Sequence, residues 1–267
     1  MSLWFILWLL MSLALLSFMG WTFVILMRQK QAWKTYAAKR KLRFKSLAFT
    51  AVPEMSGTIG DHTISFFSSE HANVNARGSR KLTAIEINLN SRMPTFGGVA
   101  SGGMVPIMKE LNLKQEYRPK HKAWNKSYIA AANNRAVLQA YLTDARVGAL
   151  CDVMAVKNAW VILIFRDESM LLRVDTPDPL DSPAKIDALV KQMLATAEVL
   201  ELKKGESEIL KSEAVQSVVK SAGLEIDEAA FDAPIGLELE EAGEETREEP
   251  QSEGDPPFEE KPDTEKS

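Results

Sequence analysis

The sequence predicts an α+β protein with an N-terminal transmembrane helix, a mixed domain of mostly antiparallel strands with two main helices, and a disordered acidic tail. Three observations predict this class. The chain opens with a long apolar run, its middle alternates short strand patterns with helical stripes, and its end is rich in acids and proline. Hairpins and helices in this order favour α+β over a doubly wound fold.

Composition and charge limit the class of protein. The 267 residues are 46% hydrophobic and 25% charged, which excludes a collagen-like or wholly disordered chain. The net charge of −4 conceals opposite segments, because residues 28–50 hold eight Lys/Arg and no acid, whereas residues 205–267 hold twenty acids and five bases. The single cysteine, Cys151, excludes an intrachain disulfide and a cysteine-based zinc site, and it fits a reducing compartment.

Residues 1–27 are predicted to form the transmembrane helix. The uncharged run Leu3–Met27 can cross a hydrocarbon core of about 30 Å at about 1.5 Å per residue. A cleaved signal peptide is disfavoured, because no basic residue precedes the run, the run is too long, and no small-residue cleavage site follows it. Trp4 and Trp8 suit a membrane–water interface, whereas Trp21 lies deeper in the run.

Residues 28–50 are predicted to be a basic juxtamembrane segment that continues the helix. By the positive-inside rule, their charges place the bulk of the chain in the cytoplasm and the N-terminus outside, at the inner (plasma) membrane. The charges either only set this topology or also contact anionic lipid head groups. The candidate lipid contacts are Lys39, Arg40, Lys41 and Arg43. No nucleic-acid-binding pattern accompanies them, so we expect no nucleic-acid partner.

Residues 51–204 are predicted to form a cytoplasmic α+β domain, long enough to bury a sizeable core. The predicted strands are 57–59 and 62–66 around a Gly60-Asp61 turn, then 83–89, 128–131, 159–165 and 170–174. The predicted helices are a short one within 104–113, one over 134–153, and a last one that Asp181 or Ser182 caps before Pro183.

The continuous apolar run before the second hairpin is typical of a strand that is covered on both faces. We expect Trp160, Ile162 and Ile164 to pack against the last helix. Leu189 and Met193 would meet them from that helix.

The chain carries a set of features shared with one group of proteins. A membrane anchor and a basic segment precede Gly57-Thr58-Ile59-Gly60, then Arg77-Gly78-Ser79-Arg80 before a strand, and later a helix that leads into a hydrophobic hairpin. Over residues 1–204 this arrangement resembles bacterial single-pass membrane-anchored proteins of unknown function. The resemblance implies no catalytic residue.

The glycine-rich segment 96–103 follows a strand and precedes a short helix. Such a segment is either a mobile or packing loop, or an anion site built from backbone N–H groups. The glycines concerned are Gly97, Gly98, Gly102 and Gly103. The segment lacks the spacing of the known phosphate-binding motifs, so we predict no cofactor.

Other polar residues give no catalytic motif, so an enzyme is the less favoured of the open alternatives. The three histidines, His62, His71 and His121, are predicted to be exposed, without metal-ligand spacing, and Cys151 is predicted to be a buried structural thiol. Asp167-Glu168 is predicted to serve a hairpin turn. Two basic clusters are either solvated or contact an acidic ligand or the membrane; they are Arg77, Arg80 and Lys81, and the stretch 118–126.

Residues 205–267 are predicted to be an acidic, mostly disordered tail that begins with one amphipathic helix ended by Gly223. The tail either only solvates the protein or docks an unknown protein partner through residues 206–239. Three functions remain open: a membrane-tethered binding or scaffolding protein, a membrane-bound enzyme or anion-binding domain that uses segment 96–103, and an accessory subunit of a membrane complex.

Overall fold

The computed structural model describes residues 3–46, 51–72, 79–166 and 169–221, and it confirms the α+β class. The helices are α1 Leu3–Arg40, α2 Val105–Glu110, α3 Arg135–Tyr141, α4 Asp144–Met154, α5 Pro183–Leu200 and α6 Glu206–Ser221. The strands are β1 Arg43–Lys45, β2 Glu54–Ile59, β3 His62–Ala72, β4 Ser79–Leu89, β5 Gly97–Ala100, β6 Gln115–Tyr117, β7 Ile129–Ala132, β8 Trp160–Phe165 and β9 Met170–Thr176. Arg77, the turn Asp167-Glu168 and residues 222–267 of the acidic tail lie outside the described residues.

Nine strands of the described chain form one sheet in the order β1-β2-β3-β4-β9-β8-β5-β7-β6, and every neighbouring pair is antiparallel. The predicted first hairpin is confirmed, because Ile59 pairs with His62 across the turn. Gly60 supplies the positive φ of 61° that this two-residue turn requires.

Helix α1 runs without a break from the apolar run into the domain. Its first 22 residues, Leu3–Val24, are exposed, whereas Trp33 and Tyr36 are buried and contact Phe66 edge to face at ring distances of 5.7 and 6.3 Å. The Arg40 guanidinium pairs with Asp187 of α5 at 2.6 Å. Part of the segment predicted as juxtamembrane therefore belongs to the domain core.

The two faces of the sheet pack against different elements. Val161, Leu163 and Phe165 of β8 belong to the main core, which also holds α5 and the buried side of α1. Ile162 belongs to a smaller core with Ala100, Met104 and Met108. The strand is covered on both faces as predicted. The expected packing of Trp160, Ile162 and Ile164 with Leu189 and Met193 is wrong by one residue of register, since all three belong to the smaller core and the two helix residues to the main core.

Two predicted boundaries differ from the structure. The helix predicted over 134–153 is two helices, because the backbone of Leu142 leaves the helical region with ψ of 68°. The segment 97–100, predicted as loop, is the strand β5, paired with β7 and β8. The cap of α5 is Ser182, whose hydroxyl accepts the N–H of Lys185.

Helix α6 confirms the amphipathic helix predicted at the start of the tail, and it packs on the domain. Leu210 is buried, and the Asn134 side chain donates to Ser217 at 2.5 Å. Arg146 of α4 holds the other end of α6 through Glu206.

Candidate functional site

The sheet face opposite α5 carries a network of polar side chains where β3, β4 and β9 lie side by side. Ser69 and His71 project from β3, and Arg173 and Asp175 from β9. The Ser69 hydroxyl and His71 Nε2 both lie 2.5 Å from Asp175 Oδ2, and Arg173 donates to the two Asp175 oxygens at 2.7 and 2.9 Å. Ala84 of the intervening β4 pairs with Asp175, and its small side chain leaves space for these contacts.

The network has one carboxylate of low pKa and one of high pKa. Burial alone would raise the pKa of Asp175, but hydrogen bonds from Arg173, Ser69 and His71 outweigh it and lower that pKa. Burial raises the pKa of Glu86, although Arg173 lies 3.2 Å away and opposes the shift. Arg173 therefore bridges two carboxylates that titrate in opposite directions from their ordinary values.

These contacts do not form a catalytic triad. In a triad the imidazole links the hydroxyl and the carboxylate through its two different nitrogens. Here the Ser69 hydroxyl and His71 Nε2 end on the same oxygen of Asp175. An acidic carboxylate that already accepts several hydrogen bonds is a weak general base, so the geometry supports a rigid network more than proton transfer.

Trp160 lies beside the network and explains two of the predicted glycines. Its ring meets the His71 ring edge to face at 5.0 Å, and the Arg80 guanidinium lies 5.7 Å from it. A Cβ on Gly103 would lie 2.4 Å from the indole, and one on Gly102 2.6 Å away. The indole therefore packs directly against the backbone of these two glycines, where a larger residue would not fit.

The other two glycines lie inside β5, where neighbouring strands come close. A Cβ on Gly98 would lie 2.3 Å from the carbonyl oxygen of Leu163, and one on Gly97 would lie 2.6 Å from Cβ of Ala132. Strand packing therefore accounts for both glycines without a bound anion.

A groove of about 560 Å³ separates α1 from the loops at one end of the sheet. Its lining residues include Trp21, Ile25, Arg28, Lys157, Asn158 and Lys185. Strand β9 ends and strand β8 begins at this end of the sheet. Asp175 is followed directly by Thr176 and Pro177, which line the groove, so the polar network lies close to the groove.

The predicted lipid contacts lie at the end of α1 and directly after it. Lys39 and Lys41 are exposed, as is Arg43, whereas Arg40 is engaged with Asp187. Twelve helical residues separate Arg40 from Arg28, which is about 18 Å along the axis.

The predicted exposure of the histidines is wrong for two of them. His62 is buried, with Nδ1 3.3 Å from the carbonyl oxygen of Asn88, and the His71 side chain is 11% exposed. His121 is partly exposed, and its Nδ1 accepts the N–H of Ala123. Cys151 is buried as predicted, and burial raises the pKa of its thiol. Among the described residues, no group of three metal-binding side chains occurs.

Sequence reasoning missed the polar network. The available signal was a pair of polar residues two positions apart on each strand, Ser69 with His71 and Arg173 with Asp175. Such spacing places both side chains on one face. The contact between the two strands spans 104 residues of sequence and gives no local pattern.

No protein-family model matches this chain, and no curated protein is significantly similar to it.

Proposed function

We propose that this protein is a membrane-tethered binding or scaffolding protein, with its N-terminus outside and its domain against the cytoplasmic face of the inner membrane. The observation that carries the proposal is the continuity of α1. One helix near the N-terminus is long and apolar enough to span a membrane. The same helix buries Trp33 and Tyr36 in the domain core.

The short distance between the span and the domain core supports a position at the bilayer surface. Gln29 is already buried, two residues after the apolar run ends at Met27. A domain joined in this way has no flexible linker that would let it move away from the bilayer. Its partners would therefore meet it next to the membrane.

The polar network and Trp160 supply a surface for recognition. Arg80 is exposed beside the indole, and the hydrogen bonds of Asp175 hold the surrounding side chains in one arrangement. A preorganised surface with an aromatic group and a cation suits binding, because little side-chain entropy is lost on contact. The Asp175 hydrogen bonds favour this role over proton transfer by the same residues.

Three measurements on the full chain in native membranes test the proposal. Alkaline carbonate should leave the protein in the membrane fraction, and a cytoplasm-dependent reporter fused after Ser267 should be active. A photo-crosslinking residue in place of Arg80 should capture one defined partner that the same residue in place of Lys211, on exposed α6, does not capture. Release by carbonate would contradict the anchor, and equal capture from both positions would contradict the binding surface.

A further inference from the structure

We propose that the groove between α1 and the loops at the end of the sheet binds the head group of an anionic phospholipid. The site rests on the proposed membrane anchor and adds a ligand class to it. The cations that would contact the ligand are Arg28 and Lys157, and the apolar wall is formed by Trp21 and Ile25.

The position of the groove along α1 places it at the membrane–water interface. Trp21 and Arg28 line the same groove, and seven helical residues, about 10 Å, separate them. Indole rings concentrate at the head-group level of bilayers. The distance from Trp4 to Trp21 is 17 residues, about 26 Å, close to the thickness of a hydrocarbon core. Trp21 therefore lies at the inner interface, and not deeper in the span as the sequence suggested, and the groove opens there.

The charge of the groove favours an anion. Lys185 pairs with both carboxylates of the lining, Asp178 at 3.3 Å and Asp181 at 2.9 Å. Lys157 is exposed and has no ion pair within the described part of the chain. The five charged lining residues, three cations and two acids, sum to +1.

Arg28 also acts on one of these acids. The hydrogen bond from Lys185 lowers the pKa of Asp181 first, and the charge of Arg28 lowers it further. Asp181 therefore takes up part of the Arg28 charge, and the net positive charge of the lining still favours an anionic ligand. Lys157, between α4 and β8, lines the groove and has no ion pair among the described residues.

The shape of the groove distinguishes a lipid from a soluble anion. Trp21 and Ile25 belong to the apolar part of α1 that continues into the membrane, whereas Arg28 follows that part and the other charged lining residues belong to the domain. A phosphate between Arg28 and Lys157 would leave the acyl chains alongside the indole. A soluble phosphate would make no use of that apolar wall.

The test compares lipids around the full chain reconstituted in vesicles of phosphatidylcholine and phosphatidylglycerol. Spin-labelled phosphatidylglycerol should associate with the protein roughly 25-fold more strongly than spin-labelled phosphatidylcholine at low salt. Each cation is expected to contribute about fivefold. The double variant Arg28→Gln/Lys157→Gln should bring the ratio close to one. The matched control Lys109→Gln/Lys211→Gln removes the same charge from exposed positions on α2 and α6 and should keep the preference.

Other results would overturn the site. These are a wild-type protein without preference, a double variant that keeps it, or a control that loses it equally. Displacement of the lipid by soluble glycerophosphate would assign the groove to a free anion and would also reject the lipid site. A chain that fails to enter the vesicles contradicts the membrane anchor, so the two proposals fail in different ways.

Discussion

The guanidinium of Arg146 makes two hydrogen bonds to the carboxylate of Glu206, at 2.5 and 2.7 Å, although the Arg146 side chain is only 4% exposed. The same guanidinium donates to the carbonyl oxygens of Tyr141, Val199 and Glu201. One residue therefore satisfies the ends of α3 and α5 and attaches α6 to both.

Replacing Arg146 should release α6. The Arg146→Ala change leaves several carbonyl groups without a donor and Glu206 without its partner, and we expect a loss of about 3 kcal/mol in the free energy of unfolding. Hydrogen exchange should become fast throughout α6 while the sheet remains protected. Arg146→Lys keeps the charge without the planar fork and should recover only part of the protection. Slow exchange in α6 of the alanine variant would contradict this role.

The domain should need the second half of α1. A fragment of residues 28–221 should fold, whereas a fragment of residues 51–204 should not, because it lacks the buried rings of Trp33 and Tyr36. Losing one large aromatic group from a core costs about 3–5 kcal/mol. Cooperative thermal unfolding, followed by circular dichroism, distinguishes the two fragments. Equal melting of both would show that α1 is dispensable for the fold.

Asp175 and Glu86 should make stability depend on pH in opposite directions. The pKa of Asp175 is lowered on folding, so its stabilisation is present above its ordinary pKa and is lost as pH falls through the folded value. The pKa of Glu86 is raised, so its contribution is greatest below its ordinary pKa and is lost as pH rises through the folded value.

Melting temperatures from pH 7 to pH 3 measure both effects. Asp175→Asn should lower stability at pH 7 by about 1–3 kcal/mol and remove part of the fall at acidic pH. Glu86→Gln should steepen that fall, because it removes the opposing group. Parallel pH profiles for the two variants would show that the network does not titrate in this way.

The register of β8 gives a further test. Leu163 is fully buried in the main core, whereas Ile164 is partly buried on the other face. Leu163→Ala should cost about 2–5 kcal/mol, and Ile164→Ala should cost less. Denaturant unfolding of residues 28–221 provides the comparison. A larger cost at Ile164 would indicate that the two faces are exchanged.

The elements with local signals were predictable. The hairpin around Gly60, the strand over 170–174 and the cap of α5 each depend on neighbouring residues, and all three are present in the structure. The run 159–165 shows what a local pattern cannot predict. Its residues are apolar at every position, so the pattern identifies a strand but not which residues face α5.

The candidate site depends on contacts between distant parts of the chain. Gly97 and Gly98 were predicted as loop because glycine is rare inside strands. Their role becomes clear only from the close approach of Leu163 and Ala132. In the same way, the contact of His71 with Asp175 requires β4 to bring β3 and β9 together. No local pattern in the sequence predicts that order of strands.

In the proposed membrane anchor, the number of residues along the uninterrupted α1 alone sets the rotation of the domain relative to the lipid-facing side of the span. Each residue of an α-helix turns the chain by about 100° and advances it by about 1.5 Å. One residue inserted between Met27 and Arg28 would rotate the whole domain by about 100° around the helix axis. An insertion of about seven residues, or two full turns, would nearly restore the original orientation and would move the domain about 10 Å farther from the membrane. The number of residues between Trp21 and Trp33 thus fixes the rotation of the domain about the helix axis. That rotation determines which side of the domain faces a neighbour bound to the span.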